Sequence, residues 1–280
     1  MVGCRTRVCA RDGRGASGNE IVRAAAARRV TVIGGCRPHR SCEIRIGTSG
    51  WHYKHWRGPF YPADLPADRM LRFYVDRFDT VEINNSFYRL PTGDCFARWR
   101  EMTPPDFCFA VKGSRFLTHM KKLKDPEQGL ARFFPPAENL KEKLGPILFQ
   151  LPPHWGCHLE RLEGFLNALP SSHRYAFEFR DATWHVRPVY DILTRHNAAF
   201  CIYHLGGFES AKEVTADFAY VRLHGPGGKY QGSYSSKALE MWAKRIEQWR
   251  ERLAAVYVYF DNDDSGYAVK NALSLRELLG

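Results

Sequence analysis

The feature that most constrains this chain is an eightfold alternation of short β-branched or aromatic runs with longer amphipathic stretches. The runs begin at Ile44, Thr80, Phe107, Pro146, Tyr175, Ala199, Tyr220 and Val256, and each ends within four to seven residues at a polar or charged group. Apolar residues near a 3.6-residue period fill most intervals, including Leu65 to Phe78, Gly93 to Met102, Val186 to His196, Ser235 to Leu253 and Tyr267 to Leu279. Strands alternating with helices call for a parallel sheet, and eight strands are the number that closes it into a (β/α)8 TIM barrel. The sixth helical unit is weak, because Leu205 to Asp217 is short and contains Gly206 and Gly207. A doubly wound open sheet is the competing α/β architecture, but neither a GxGxxG fingerprint nor a P-loop is present.

Composition divides the chain at about residue 43. Residues 1–43 are rich in Arg, Ala and Gly without apolar periodicity, which predicts a disordered tail, either a leader or the product of a start codon placed too early. Residues 44–280 are then a single barrel domain, and the chain's 44% hydrophobic residues suffice for a large core. The formal charge of +11 resembles a nucleic-acid signature, but the tail's nine Arg and three acids account for more than half of it, leaving +5 on the body. No apolar run reaches the roughly 18 residues of a membrane span, so a soluble, cytoplasmic protein with no membrane partner is expected. Cys4, Cys9, Cys36 and Cys42 lack the spacing of a zinc site, and Cys95, Cys108, Cys157 and Cys201 read as reduced core thiols.

Chemistry in such a barrel sits at the C-terminal ends of the strands, so strand parity selects the candidates. Taking Glu82 and Asn84 as inward puts Lys112, Gln150, Glu178, Arg180, Arg222 and His224 on the same inner face, with Asp261, Asn262, Asp263 and Asp264 at the rim after the last strand. Glu82, Glu178 and His224 are the candidate catalytic acids and bases. Asn84, Lys112, Arg115, Gln150, Arg180, Arg222 and Asn262 are candidate substrate ligands, with Trp51, Tyr53 and Tyr230 as aromatic contacts from the loops. On this count four cations, Lys112, Arg115, Arg180 and Arg222, face two inward carboxylates, and the surplus predicts an anion site.

At these residues the chain resembles the YecE-like proteins, domain-of-unknown-function family 72. The resemblance is carried by Ile46-Gly-Thr-Ser-Gly-Trp51, Glu82-Ile-Asn-Asn-Ser-Phe-Tyr88, Val111-Lys-Gly-Ser-Arg115 with Thr118-His119, and Leu148-Phe-Gln-Leu-Pro-Pro153. It continues through Phe177-Glu-Phe-Arg180 with Trp184, Tyr220-Val-Arg-Leu-His-Gly225 with Tyr230, and Tyr259-Phe-Asp-Asn-Asp263 with Asn271-Ala272. It implies a TIM barrel and supplies no reaction. Two positions depart from the expected pattern: Asp261 stands in place of Asn, and His204 in place of a frequent Asp.

Three functions follow as expectations. The first is a hydrolase of phosphate-bearing substrates, nucleic acid or nucleotide foremost, with any divalent metal loosely held. The second is a non-catalytic module for an anionic metabolite or single-stranded nucleic acid. A glycosidase using Glu82 and Glu178 is the third, although four cations suit an uncharged sugar badly.

Overall fold

The computed structural model describes residues 42–280. The expected tail, with Cys4, Cys9 and Cys36, falls almost wholly outside these residues. Glu43, assigned to the tail from sequence, is the first residue of β1 and pairs with Ala255.

Nine strands form one sheet: β1 (Glu43–Thr48), β2 (Thr80–Ile83), β3 (Cys108–Lys112), β4 (Leu144–Gln150), β5 (Tyr175–Glu178), β6 (Ala199–Leu205), β7 (Phe208–Glu209), β8 (Phe218–Leu223) and β9 (Ala255–Phe260). Their order is β1-β9-β8-β6-β5-β4-β3-β2, with every neighbouring pair parallel. The ring closes between β1 and β2 through a parallel bridge from Ser49 to Glu82 and a hydrogen bond from the Gly50 amide to the Glu82 carbonyl. This is the TIM barrel that the alternation predicts. The two-residue strand β7 folds back antiparallel onto β6 where a sixth helix would stand. Gly206 and Gly207, both at positive φ, make the two-residue turn that this hairpin requires.

The helices are α1 (Met70–Val75), α2 (Gly93–Glu101), α3 (Glu127–Ala137), α4 (Leu159–Asn167), α5 (Arg187–Arg195), α6 (Ser236–Arg250) and α7 (Tyr267–Glu277). Local chemistry sets several of their starts. Thr92 and Ser235 accept from the amides of Cys95 and Ala238 at 3.3 Å, capping α2 and α6, and Pro188 opens α5. The first helix is shorter than its apolar pattern, because Pro66 biases Leu65 away from helical backbone and Ala67–Arg69 form a 3-10 turn instead. Pro146 lies inside β4 rather than at its entry; it is tolerated where the β3–β4 register slips between Phe109 and Val111.

Two apolar layers result. Outward residues such as Val81, Phe109, Ile147, Phe177 and Val221 pack under the helices, and inward residues fill the barrel. The filling is asymmetric. Strands β3 to β6 contribute Cys108, Ala110, Ala176, Ala199 and Cys201, whereas β8 and β9 contribute Tyr220, Tyr257 and Tyr259. The large phenols find polar partners on β2: Tyr259 meets Thr80 Oγ1 at 2.8 Å and Tyr220 donates to Glu82 at 2.7 Å. Cys108 and Cys201 are buried in this layer, but Cys95 and Cys157 are only half-buried and do not belong to the core as expected.

Candidate functional site at the barrel mouth

Above the tyrosine layer the inner face turns ionic. Arg222, one inward step beyond Tyr220 on β8, is fully buried and ties three strand ends together. Its Nη2 donates to Glu82 at 2.7 Å and to Asp261 at 3.0 Å, and its Nη1 donates to Glu178 at 2.8 Å. Glu82 is further satisfied by Ser49 Oγ and the Tyr220 phenol. Burial alone would raise the Glu178 carboxyl, but Arg180 and Arg222 outweigh it and hold the group well below its usual range. Asp261 is lowered for the same reason, its burial overcome by Arg222 and His224.

His224 continues this face. Its Nε2 lies 3.0 Å from Arg180 Nη2, and its Nδ1 lies 3.0 Å from Asp261 Oδ2. A guanidinium only donates, so Nε2 accepts from Arg180, whereas Nδ1 lies beside Asp261 without an aligned hydrogen bond. Arg180 also donates through Nε to Glu178 and lies over the Tyr203 ring, 4.9 Å from its centroid.

The charge count differs from the sequence expectation. Asp261 follows Tyr257 and Tyr259 in parity and joins the cup as a third carboxylate, while Arg115 is exposed outside it. Three cations, Lys112, Arg180 and Arg222, therefore stand against three carboxylates, and the predicted surplus is absent inside the network. The charges are nonetheless unevenly shared, since all three acids bond Arg222 and none reaches Lys112.

Lys112 closes β3. It is 5% exposed, with Nζ 4.3 Å above the Phe87 ring, and among the described residues it has neither an ion-pair partner nor a hydrogen-bond acceptor for its ammonium. Burial, reinforced by Arg222, pushes its pKa down to about 8. Nearby His119 packs edge-on against Phe87, and burial together with Lys112, Arg115 and Arg180 brings it down to about 4, so its imidazole is neutral at pH 7.

Beside Arg180 a cavity of about 400 Å³ opens at the ends of β4, β5 and β6. Gln150, Arg180, Tyr203, Phe208, Lys229 and Tyr230 supply its polar and aromatic wall, and no carboxylate lines it. Tyr230, at φ 65°, separates this cavity from a wider cleft of about 690 Å³ that holds His55, Arg57, Asp263 and Asp264.

Several sequence candidates fall elsewhere. Trp51 is buried in the outer core, edge-on to Trp99 at 5.1 Å, and offers no stacking face at the mouth. Asn262 points outward and bonds the Gly232 carbonyl and Asn271, fastening the loop after β8 to α7. Tyr53 leans over the cup edge with its phenol bonded to the Ser49 carbonyl at 2.7 Å. Asn84 sits in the turn after β2, half-buried, its Oδ1 enclosed without a partner. His204, which stands where an Asp is frequent, bonds Tyr234 at 2.9 Å. Among the described residues no three His, Cys, Asp or Glu side chains are grouped as a metal site, and the buried carboxylates that would serve one are occupied by Arg222.

The profile described as protein of unknown function DUF72 matches residues 45–280. The chain belongs to the DUF72 family. A crystal structure of a DUF72 family protein from Thermotoga maritima MSB8 superposes with a TM-score of 0.78 at 29% identity, covering 85% of this chain and 99% of that one. Another, from Enterococcus faecalis V583, gives 0.71 at 18% identity, covering 84% and 95%, a likeness of fold. The UPF0759 protein YunF of Bacillus subtilis is 26% identical over 84% of this chain and 94% of its own length. The UPF0759 protein YecE of Escherichia coli K12 is 32% identical over 49% and 48%.

Within this DUF72 barrel, sequence reasoning missed Tyr203, Phe208, Lys229 and His119 as parts of the mouth. Lys229 comes from a loop, where parity gives no direction, and Phe208 from the short β7, which lies outside the eight alternating runs. Tyr203 is an inward residue by parity, in step with Ala199 and Cys201 and paired with Arg222, but no charge marks it in the sequence; its phenol donates to the Phe179 carbonyl at 2.9 Å and its ring lines the cavity.

Proposed function

We propose that this protein is an enzyme for a small phosphate-bearing substrate, held in the cavity between Arg180 and Lys229. The observation that carries the reading is the composition of that wall: two cations, an amide and two phenols, with no carboxylate among the lining residues and Glu178 pairing Arg180 from beneath. Arg180 is already fixed by Glu178 and His224, so its fork is preorganised rather than searching. Lys229 lies in a glycine-rich segment, Gly225-Pro-Gly-Gly-Lys229, after the seventh strand of the ring, and by fold-level analogy that is where TIM barrels often seat phosphate. A cavity of about 400 Å³ suits a nucleotide or sugar phosphate better than a polymer, which moves the nucleic-acid reading toward its monomers.

Phosphoester hydrolysis, the reaction expected from sequence, needs an acid or base at the phosphorus. Glu82 and Glu178 are fully engaged beneath the cavity, so their part is to hold Arg222 and Arg180 in place. The same engagement favours the second reading, a non-catalytic binder of an anionic metabolite. Screening phosphomonoesters and phosphodiesters, with and without divalent metals, separates the two. Turnover that falls with Lys229→Met supports the enzyme; saturable phosphate binding without turnover supports the binder; neither binding nor turnover rejects both.

A further inference from the structure

Two lysines are buried in this protein, and their surroundings are opposite. Lys143, 6% exposed, donates to the carbonyls of Arg100 and Thr103 at 2.6 and 2.7 Å and to Thr103 Oγ1 at 3.2 Å, so all three of its protons are placed. Lys112, equally buried, has no acceptor among the described residues; the face of Phe87 and the guanidinium of Arg222 adjoin it, with the carboxylates of Glu178, Glu82 and Asp261 acting on it only at longer range. A buried ammonium without a bonded partner is a costly arrangement for a fold to keep, whereas an amine without acceptors that loses its proton easily is a nucleophile.

Its position suits that role. Lys112 pairs with Leu148, and Gln150, the next inner-face residue on β4, lines the cavity that holds Arg180. Lys112 does not itself line that cavity; its strand position lies one inner-face step below Gln150, with neutral His119 near it and every acid of the cup held by Arg222.

We propose that Lys112 forms an imine with a small substrate that carries a carbonyl carbon beside its anionic group. The proposal rests on the reading of the cavity as an anion site, and it names what that site would position. The Nζ lone pair attacks the carbonyl carbon, the C=O π pair moves to oxygen, and a proton passes from the nitrogen to that oxygen to give a neutral carbinolamine whose nitrogen lone pair is restored. A second proton lets the oxygen depart as water while the nitrogen lone pair closes the C=N bond. The lowered proton affinity of Lys112 supplies a neutral amine in appreciable fraction near pH 8.

The test uses the full chain with glycolaldehyde phosphate and with glycolaldehyde, each followed by sodium borohydride. Borohydride delivers hydride to the iminium carbon and fixes the adduct as a secondary amine, which intact mass and peptide mapping locate. The expected result is one equivalent on Lys112, lost in Lys112→Arg and formed at least about tenfold more slowly with the unphosphorylated aldehyde, the difference that about 1.4 kcal/mol of phosphate binding would give. Labelling spread over exposed lysines such as Lys121, Lys122 and Lys124, with Lys112 unlabelled, overturns the proposal. If Lys112 is unlabelled although inorganic phosphate binds, the imine fails and the anion site stands. If both aldehydes label Lys112 at one rate and inorganic phosphate gives no protection, the imine stands and the anion site fails.

Discussion

Replacing Lys112 with Met should make the protein more stable. The ammonium is 5% exposed, and burial with Arg222 nearby lowers its pKa from 10.5 to about 8. At about 1.4 kcal/mol per unit, carrying that charge in the folded state costs on the order of 3 kcal/mol relative to the unfolded chain. Methionine keeps an unbranched apolar stem against Phe87 and loses only the cation–π contact at 4.3 Å, roughly 1 kcal/mol. The net gain is about 2 kcal/mol, or roughly 4–8 °C in melting temperature for a domain of this size. The sign with pH follows from the direction of the shift. Below about pH 8 both states carry the proton and the cost is present in full; between about 8 and 10.5 the folded state releases its proton first, so the parent recovers stability as pH rises. The advantage of Lys112→Met over the parent should thus be full at pH 7 and shrink toward pH 10. Thermal melts of both proteins at the two pH values provide the assay. A Lys112→Met protein that melts below the parent at pH 7 would refute the reasoning and show that Lys112 has a stabilising partner.

Other substitutions bear on the ionic network beneath the cavity. Arg222→Met should lower stability by about 3–5 kcal/mol, because Glu82, Glu178 and Asp261 would lose their shared guanidinium; a melting temperature within about 2 °C of the parent would contradict that. The depressed carboxyl of Glu178 contributes stability that is full above its unfolded value of about 4.5 and lost as pH falls through its folded value. Glu178→Gln should therefore flatten the acid limb of the stability curve, and an unchanged limb would count against the Arg180 and Arg222 pairing. The ring resonances of His119 should not titrate between pH 5 and 8, since its pKa is near 4; a midpoint near 6.5 would place the ring in open solvent.

The barrel was legible because its signals are periodic. Each strand carries its own parity, so Glu82, Glu178, Arg222 and His224 on three separated segments were assigned to one face before any coordinate was known. Parity failed where periodicity ends. Asn262 lies one residue past β9, and its single-residue offset from Asp261 sends it outward to Asn271 while Asp261 turns inward to Arg222. Arg115 sits past the end of β3 at the start of a π-turn, where the strand's alternation no longer sets its direction. Trp51 looked like a loop aromatic, but Trp99 on α2 supplies an apolar wall that nothing local could announce. The pairing of charges was the least visible layer. Which carboxylate meets which cation depends on distances across the ring, and those turned a predicted surplus of cations into a balanced network with one amine left apart.

The central claim, that the cavity walled by Arg180 and Lys229 binds a phosphate group, is tested most directly by calorimetric titration of inorganic phosphate into the parent and Lys229→Met. Lys229 is exposed at the rim and outside the buried network, so its loss leaves the fold intact. The account predicts one site per chain at submillimolar concentration in the parent and an affinity about tenfold weaker in Lys229→Met, a difference of about 1.4 kcal/mol. No heat of binding up to about 10 mM phosphate, or equal affinity in the two proteins, would contradict it.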